Sequence, residues 1–390
     1  MVTSIVTTSA NNTVMDFSTS GSHGYVGSST PYGLWADGPI HPWRDANGTP
    51  TFITAHSEGY RFNVVSDWQN GATWTNWGQG MNWNSPRDTV EGHYANRYWV
   101  FAGFARGSTV VALAHHEFYQ APTTIGGVAG FNSNKYGFNT RWVNSITYVK
   151  STNDGQSWSV PNPGDFGQNH HNVRCVLIPE PWNTQSINTA YGFFHPSNIV
   201  KEGNYYYAFV EVRNLPGNTT VLDSGFAMIR TSNLDASTGW QFYSNSNQWE
   251  TVDHSYYQGN LAPQQPKVFF KVTGWDSYTT SERNGRMAQA IRYHVPSQKW
   301  ILFGFTGLEG DGLCYCVSDT LANPQFEANG RRMISLAGGG AANEYNNNHY
   351  IGVFDPNSQD QNYQTILGNT ALLMTADAGV RYKAGTISIT

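Results

Sequence analysis

Carboxylates and histidines are scarce in this chain, and several of them fall where they could act together. Of 390 residues, 27 are acidic and 12 are histidines. Asp37 stands before Gly38-Pro39, Glu91 stands beside His93, and an apolar run through Ala112-Leu113-Ala114 ends in His115-His116-Glu117. A second apolar run ends in Glu211-Val212-Arg213, and His195 immediately precedes Pro196. Two carboxylates in one cleft can divide the work of general acid and general base, provided burial or a like charge raises one pKa. Asp37 and Glu117 form the candidate catalytic pair, with Glu91 placed to tune the acid. His56, His116 and His195 are candidates to bind substrate hydroxyls, and Arg213 and Arg230 to hold a substrate carboxylate. His115 and His116 are adjacent, so on a strand they face opposite sides; His116 is taken as the one facing the cleft. Each choice has a plainer counterpart. Asp37 can cap its own turn, Glu117 can be an exposed carboxylate, and the arginines can pair with Glu211 or Asp223.

The elements that must position these residues recur along the chain. A turn rich in Ser, Thr, Asp and Asn closes on an aromatic at Ser66-Asp67 to Trp74, at Ser151-Thr152-Asn153-Asp154-Gly155-Gln156-Ser157-Trp158, and at Ser232 to Trp240. A weaker copy runs from Ser318-Asp319 to Phe326, and a fifth is expected at Thr375-Ala376-Asp377-Ala378-Gly379. The first four recur at roughly 80 to 86 residues and the last follows after about 57. In such a turn the Asp or Asn side chain bonds backbone amides, Gly takes positive φ, and the aromatic anchors the hairpin. Paired β patterns precede each turn, for example 99–104 with 110–114 and 286–293 with 299–305. Four antiparallel strands per unit, in five units, predict an all-β fold: a five-bladed β-propeller of four-stranded blades. A string of β-sandwiches is the competing architecture. The whole chain, 1–390, reads as one domain, with a strand in 3–17 expected to join the last blade.

Antiparallel order then decides which residues share an end of the fold. If the first strand of a blade starts at the upper end, the second finishes there, and the turn between third and fourth strands falls at the lower end. The upper end collects Asp37, His56, Glu58 and Arg61 from the first blade, and Asp88, Glu91, His93, His115, His116 and Glu117 from the second. His195, Glu211 and Arg213 come from the third, Arg283, Arg286, Glu309 and Asp311 from the fourth, and Glu344 and His349 from the fifth.

Composition narrows the function classes. Charged residues make up 13%, against about 25% in an average soluble protein, while aromatics reach 14%. A net charge of -5 with scattered lysines and arginines argues against nucleic acid, which demands a basic stripe. No apolar run approaches the roughly 20 residues of a membrane helix, so no membrane insertion is expected. A neutral, aromatic surface suits sugars, whose rings stack on aromatic faces. The three cysteines, Cys175, Cys314 and Cys316, form neither a disulfide framework nor a zinc signature. The first residues show no basic stretch followed by an apolar core, so no signal peptide is read; the composition nonetheless leans towards an extracellular or secreted protein.

Several segments resemble known propellers. Residues 151–158 resemble the Asp-box of sialidases and related propellers, with Asn153 where Asp is usual. Asp37-Gly38-Pro39-Ile40 resembles the first-blade Asp-Pro segment of five-bladed glycosidases of the arabinanase and β-xylosidase type, with Gly38 inserted. Ala112-Leu113-Ala114-His115-His116-Glu117-Phe118-Tyr119 is similar to a segment of sialidase-like propeller proteins, as are Phe194-His195-Pro196-Ser197-Asn198-Ile199-Val200 and the region from Gly225 through Arg230-Thr231 to Leu234. There is neither an N-terminal Arg-Ile-Pro motif nor an arginine triad, so a true sialidase is not expected. The resemblance implies a carbohydrate partner and a glycoside hydrolase acting on a poly- or oligosaccharide through paired carboxylates. It implies no required cofactor; a structural calcium occurs in such folds near a histidine, which makes His349 a candidate ligand. Two other readings stay open: a polysaccharide lyase using His or Tyr with Arg on a uronate, and a non-catalytic carbohydrate-binding propeller of the adhesin or phage receptor-binding kind.

Overall fold

The computed structural model describes residues 2–8, 12–16, 38–53, 60–79, 97–119, 142–159, 175–177, 190–213, 224–252, 266–272, 289–306, 312–337, 348–377 and 381–390. Strands β1 (Ile5–Thr7) and β2 (Asn12–Asp16) precede a first antiparallel unit of β3 (Trp43–Arg44), β4 (Pro50–Ile53), β5 (Tyr60–Val64) and β6 (Trp74–Gln79). The second unit is β7 (Arg97–Arg106), β8 (Thr109–Tyr119), β9 (Trp142–Ser151) and β10 (Cys175–Leu177). After β11 (Ala190–Phe194), the third comprises β12 (Val200–Glu202), β13 (Tyr205–Arg213), β14 (Ser224–Thr231) and β15 (Gln241–Tyr243). Two further strands join it, β16 (Trp249–Thr251) on β15 and β17 (Phe269–Val272) on β14. The fourth unit is β18 (Ala290–His294), β19 (Lys299–Thr306), β20 (Gly312–Ser318), a one-turn helix α1 (Phe326–Asn329), and β21 (Arg331–Met333). Past β22 (Ser335–Leu336) the fifth holds β23 (Asn348–Phe354), β25 (Thr370–Asp377) and β26 (Arg381–Ile389), with β24 (Thr365–Ile366) in its first connection. Its fourth strand is β1, which pairs antiparallel with β26.

Burial explains why these units stack rather than stand apart. Each strand alternates apolar residues to both faces, so each sheet must be covered on both sides. On β8, Val111 and Leu113 pack towards the third unit with Ile146, Ala208 and Val210. The intervening Val110, Ala112 and Ala114 pack towards the first with Trp43 and Ile53. Apolar clusters likewise join the third unit to the fourth, the fourth to the fifth, and the fifth to the first, where Tyr350, Phe354 and Tyr382 meet Phe52, Phe62 and Trp68. Five such units, each packed on its neighbours in chain order and the fifth on the first, make the all-β, five-bladed β-propeller that the repeat predicts. Among the described residues no helix is long and apolar enough to cross a membrane, which says nothing of strands.

The inner strands are tied together by side chains bonding backbone. Asn198 gives its amide to the Ile291 carbonyl at 3.0 Å and accepts from the Ile291 N–H at 2.8 Å. Gln289 Oε1 accepts from the Ile351 N–H at 2.7 Å. Between the fifth and first units the backbones come so close that a Cβ on Gly352 would stand 2.1 Å from the Ile40 carbonyl oxygen.

The recurrent turns behave as their chemistry demands. In 151–158, Ser151 Oγ accepts from the Asn153 and Gly155 N–H groups at 3.2 and 2.9 Å. Asn153 Oδ1 accepts from the Ser157 N–H at 3.0 Å, and the Trp158 indole donates to the Gly155 carbonyl at 3.0 Å. Gly155 has φ +77, and its missing side chain leaves room for Trp43 and Trp158. Trp74 and Trp240 close their own turns in the same way, on the Asp67 and Ala236 carbonyls.

Two expectations need correction. Thr375, Ala376 and Asp377 are not a turn; they lie in β25, paired with both β23 and β26. In the other units the turn joins third and fourth strands, but here the fourth strand comes from the other end of the chain, so there is no such connection to stabilise. Secondly, the second and third units share one sheet. β11 pairs parallel with β9 and antiparallel with β13, bridging them at the upper end.

Candidate active site

The bridge strand organises the upper end of the second and third units. One continuous row of paired residues crosses it: Arg97, Glu117, Asn144, Gly192, Arg213, Ser224. Glu117 and Arg213 are three strands apart in this row, about 14 Å between backbones. Only glycine fits at the crossing, because Gly192 has φ +106 and a Cβ there would stand 2.2 Å from the Asn144 carbonyl oxygen. Asn144 itself is fully buried, and among the described residues neither atom of its side-chain amide has a hydrogen-bond partner.

Directly after the bridge, the chain turns at His195 with φ +36, a left-handed conformation that a non-glycine residue adopts at a cost of roughly 1–3 kcal/mol. The position before a proline normally prefers extended backbone, so the strain here is held by what surrounds the ring. His195 Nδ1 lies 2.5 Å from Glu211 Oε2, a short charge-assisted bond between two buried side chains. On the other side the Tyr350 hydroxyl lies 3.4 Å from Nε2. The His195 N–H points to His115 Nδ1 at 3.4 Å, and the His115 and Phe101 rings stand 5.0 and 5.3 Å from the His195 ring. Three units thus meet here: the second through Phe101 and His115, the third through His195 and Glu211, the fifth through Tyr350. A carboxylate at 1% exposure is tolerated only when paired and bonded in this way.

Of the candidates from sequence, His195 is at the centre of this cluster, with its ring committed to protein partners. Of the adjacent histidines, His115 reaches the cluster. Glu117 has the strand parity of His115 and His116 the opposite parity, because β8 is regular from Ala102↔Leu113 through Glu117↔Asn144. For Glu117, His116, Arg213 and His349 the strand positions are described but the side chains are not. Asp37, His56 and Glu91 lie outside the described residues. The residue after Asp37 is placed: the Gly38 carbonyl accepts from the Tyr382 hydroxyl at 3.0 Å, against the fifth unit.

Two arginines are placed elsewhere. Arg230 pairs with Tyr207 towards the lower end of β14, six positions and about 20 Å from Ser224. Its guanidinium lies between the Tyr205 and Trp249 rings, at 4.0 and 4.2 Å, and bonds Gln241. Arg61 is buried, not in a loop, and joins Asp45, Asn63 and the Asp154 carbonyl. Residues that sequence reading passed over are Tyr350, Phe101 and Asn144. Tyr350 stands next to His349 in β23. Among the described residues no group of three or more His, Cys, Asp or Glu could hold a metal.

No protein-family model matches the chain, and no curated protein matches it. Solved structures similar in shape include a GH62 α-L-arabinofuranosidase catalytic domain from Coprinopsis cinerea (11% identity, 100% of this chain and 98% of that one, TM-score 0.43). An endo-arabinase from Bacteroides thetaiotaomicron matches at 10% identity over 97% of each chain, TM-score 0.44. A GH43_1 enzyme from Xanthomonas citri, solved with xylotriose, matches at 8% identity over 91% of this chain and 87% of that one, TM-score 0.41. The strand order and packing described above, rather than these likenesses, define the architecture.

Proposed function

We propose that the protein is a carbohydrate-active enzyme that hydrolyses glycosidic bonds at the upper end of the propeller. The observation that carries this reading is the row holding Glu117 and Arg213, seated beside the buried His195–Glu211–Tyr350 cluster. Strained backbone and a buried ion pair are the means by which a fold fixes reacting groups in place. In this reading Asp37 and Glu117 act across the scissile bond, one protonating the leaving oxygen and the other activating water or attacking the sugar. Glu91 tunes the acid. His56 binds sugar hydroxyls and Arg213 holds a polar or charged substituent, while His116, of opposite strand parity to Glu117, lies outside the proposed cleft. His195 serves as a positioning residue, carrying the constraint from Glu211 to the bridge strand.

One observation favours a second reading, a lyase. The Tyr350 hydroxyl faces His195 Nε2, and a tyrosine that gives its proton to a histidine can abstract the proton next to a uronate carboxylate, with Arg213 neutralising that carboxylate. Purified protein incubated with a panel of neutral and uronate-containing glycans separates the readings. Hydrolysis gives new reducing ends without ultraviolet absorbance, elimination gives reducing ends with the absorbance of an unsaturated uronate, and binding without product marks a non-catalytic sugar-binding propeller.

A further inference from the structure

The five units differ in the connection between their first two strands, at the lower end. It is 45–49 in the first unit, 107–108 in the second, 203–204 in the third and 295–298 in the fourth, but 355–369 in the fifth. We propose that residues 355–369 form an axial bolt, one segment of the fifth unit that closes the lower end of the central channel and locks the other four units together. The segment bonds the innermost strand or hairpin of each of them. In the first unit, the Arg44 N–H donates to the Gln361 carbonyl at 2.6 Å, and Gln361 Nε2 donates to the Arg44 carbonyl at 3.0 Å. In the second, Asn362 accepts from the Ala105 N–H at 2.6 Å and donates to the Ala105 carbonyl at 3.0 Å. Gln361 does the same for Gly107, at 3.1 and 2.9 Å. In the third, Gln364 Oε1 accepts from the Lys201 N–H at 3.0 Å. In the fourth, the Tyr293 N–H donates to the Gln364 carbonyl at 2.8 Å, and β24 pairs parallel with β18.

Radial geometry decides where a segment with these partners must lie. The innermost strands of a propeller surround its central channel, so a stretch that reaches four of them from the fifth crosses the axis. The contacts of 361–364 alone span all four units, over at most about 14 Å of chain. Backbone groups at the channel end of an inner strand need partners, and here the bolt supplies them. Asp360 braces the stretch. Its Oδ1 accepts from the Asn362 and Gln364 N–H groups at 3.0 and 2.9 Å. Its Oδ2 accepts from the Thr365 N–H at 3.2 Å and from the Ser358 and Thr365 hydroxyls at 2.6 and 2.7 Å. Tyr363, fully buried against Phe354 and Trp68, anchors it in the core between the fifth and first units. A segment held in shape by one carboxylate presents its outward contacts together, so they form or fail as a group.

Hydrogen exchange tests the bolt at positions far apart in the chain. In the natural sequence the Arg44, Ala105, Gly107, Lys201 and Tyr293 amides should be protected and should open as one cooperative unit. Asp360→Ala should speed exchange at all five by about tenfold or more, while the Val210 amide, in the buried interior of the third unit, keeps its rate. Acceleration confined to 355–369, with the five remote amides unmoved, overturns the proposal. Asn362→Ala removes two bonds to the second unit and should speed exchange at Lys201 and Tyr293 as well as at Ala105. A rise at Ala105 alone would show that the contacts are independent and contradict the bolt. Fast exchange of the five amides in the natural sequence would overturn it even if neither variant folds.

Discussion

Two charged clusters lie where the second unit meets the third, one at each end, and they are built on opposite terms. At the lower end Asp235 accepts from Arg106 at 2.9 and 3.0 Å and from Lys150 at 2.8 Å, with its side chain 46% exposed. At the upper end Glu211 and His195 meet at 2.5 Å with almost no contact with solvent. Water and salt screen the first and do not reach the second. An exposed cluster is a clamp that can be removed cheaply. A buried one cannot be opened without leaving a charge in apolar surroundings, so it fixes geometry. That contrast places the precision of the molecule at the end where the candidate row lies.

The sharpest way to break this contrast is to remove the buried carboxylate. Glu211→Ala leaves His195 without its partner on a strained backbone and should cost about 3–5 kcal/mol, read from denaturant unfolding. Glu211→Gln should cost less, because it keeps volume and one hydrogen bond. If Glu211→Ala proves no worse than a change at Asp235, the two ends are equivalent and the contrast fails. The bridge strand comes next. Gly192→Ala forces a Cβ into the Asn144 carbonyl at positive φ and should cost roughly 2–4 kcal/mol. It should also lower activity on any substrate found, whereas an equally destabilising change at the lower end should not.

The lower-end turns should respond less. Ser151→Ala leaves two amide hydrogens of the turn unpaired and should cost about 1–3 kcal/mol with activity preserved at temperatures where the protein stays folded. The smallest effect is expected at the exposed clamp. Asp235→Asn should cost less than about 1 kcal/mol, falling further with added salt. The hydrogen bonds from Arg106 and Lys150 hold the Asp235 carboxyl down at about 2, from 3.8. A depressed folded-state value means that the contribution is complete above the unfolded value and lost as pH falls through the folded one. The natural sequence and Asp235→Asn should therefore differ above about pH 4 and converge near pH 2.

Much of this was legible in the residues, unevenly. Turns such as 151–158 carry their chemistry in contiguous side chains, so Ser, Asn, Gly and Trp at fixed offsets announce the hairpin. The strands of β8 and β13 announce themselves by apolar alternation, which also brings His115 and Glu211 to the same end. The bridge strand β11 was not legible, because its pairing with β9 joins residues about 50 apart and depends on Gly192 meeting Asn144. The fifth turn misled for a related reason: Thr375-Ala376-Asp377 has turn-forming residues, yet pairing on both sides overrode local preference. Which of two adjacent histidines faces inward depends on strand register, which a boundary uncertain by a few residues does not fix. Arg230 immediately precedes a lower-end turn, and that place in the sequence locates it at the lower end.

The most direct test of the proposed activity is the turnover of Glu117→Gln on a glycan that the natural sequence cleaves, compared with its binding of the same glycan. A carboxylate acting as general acid or base should, when neutralised, lower kcat by roughly 10²–10⁴-fold while binding is kept. Unchanged turnover in Glu117→Gln, with loss on changing Tyr350 or Arg213 instead, would contradict the hydrolase.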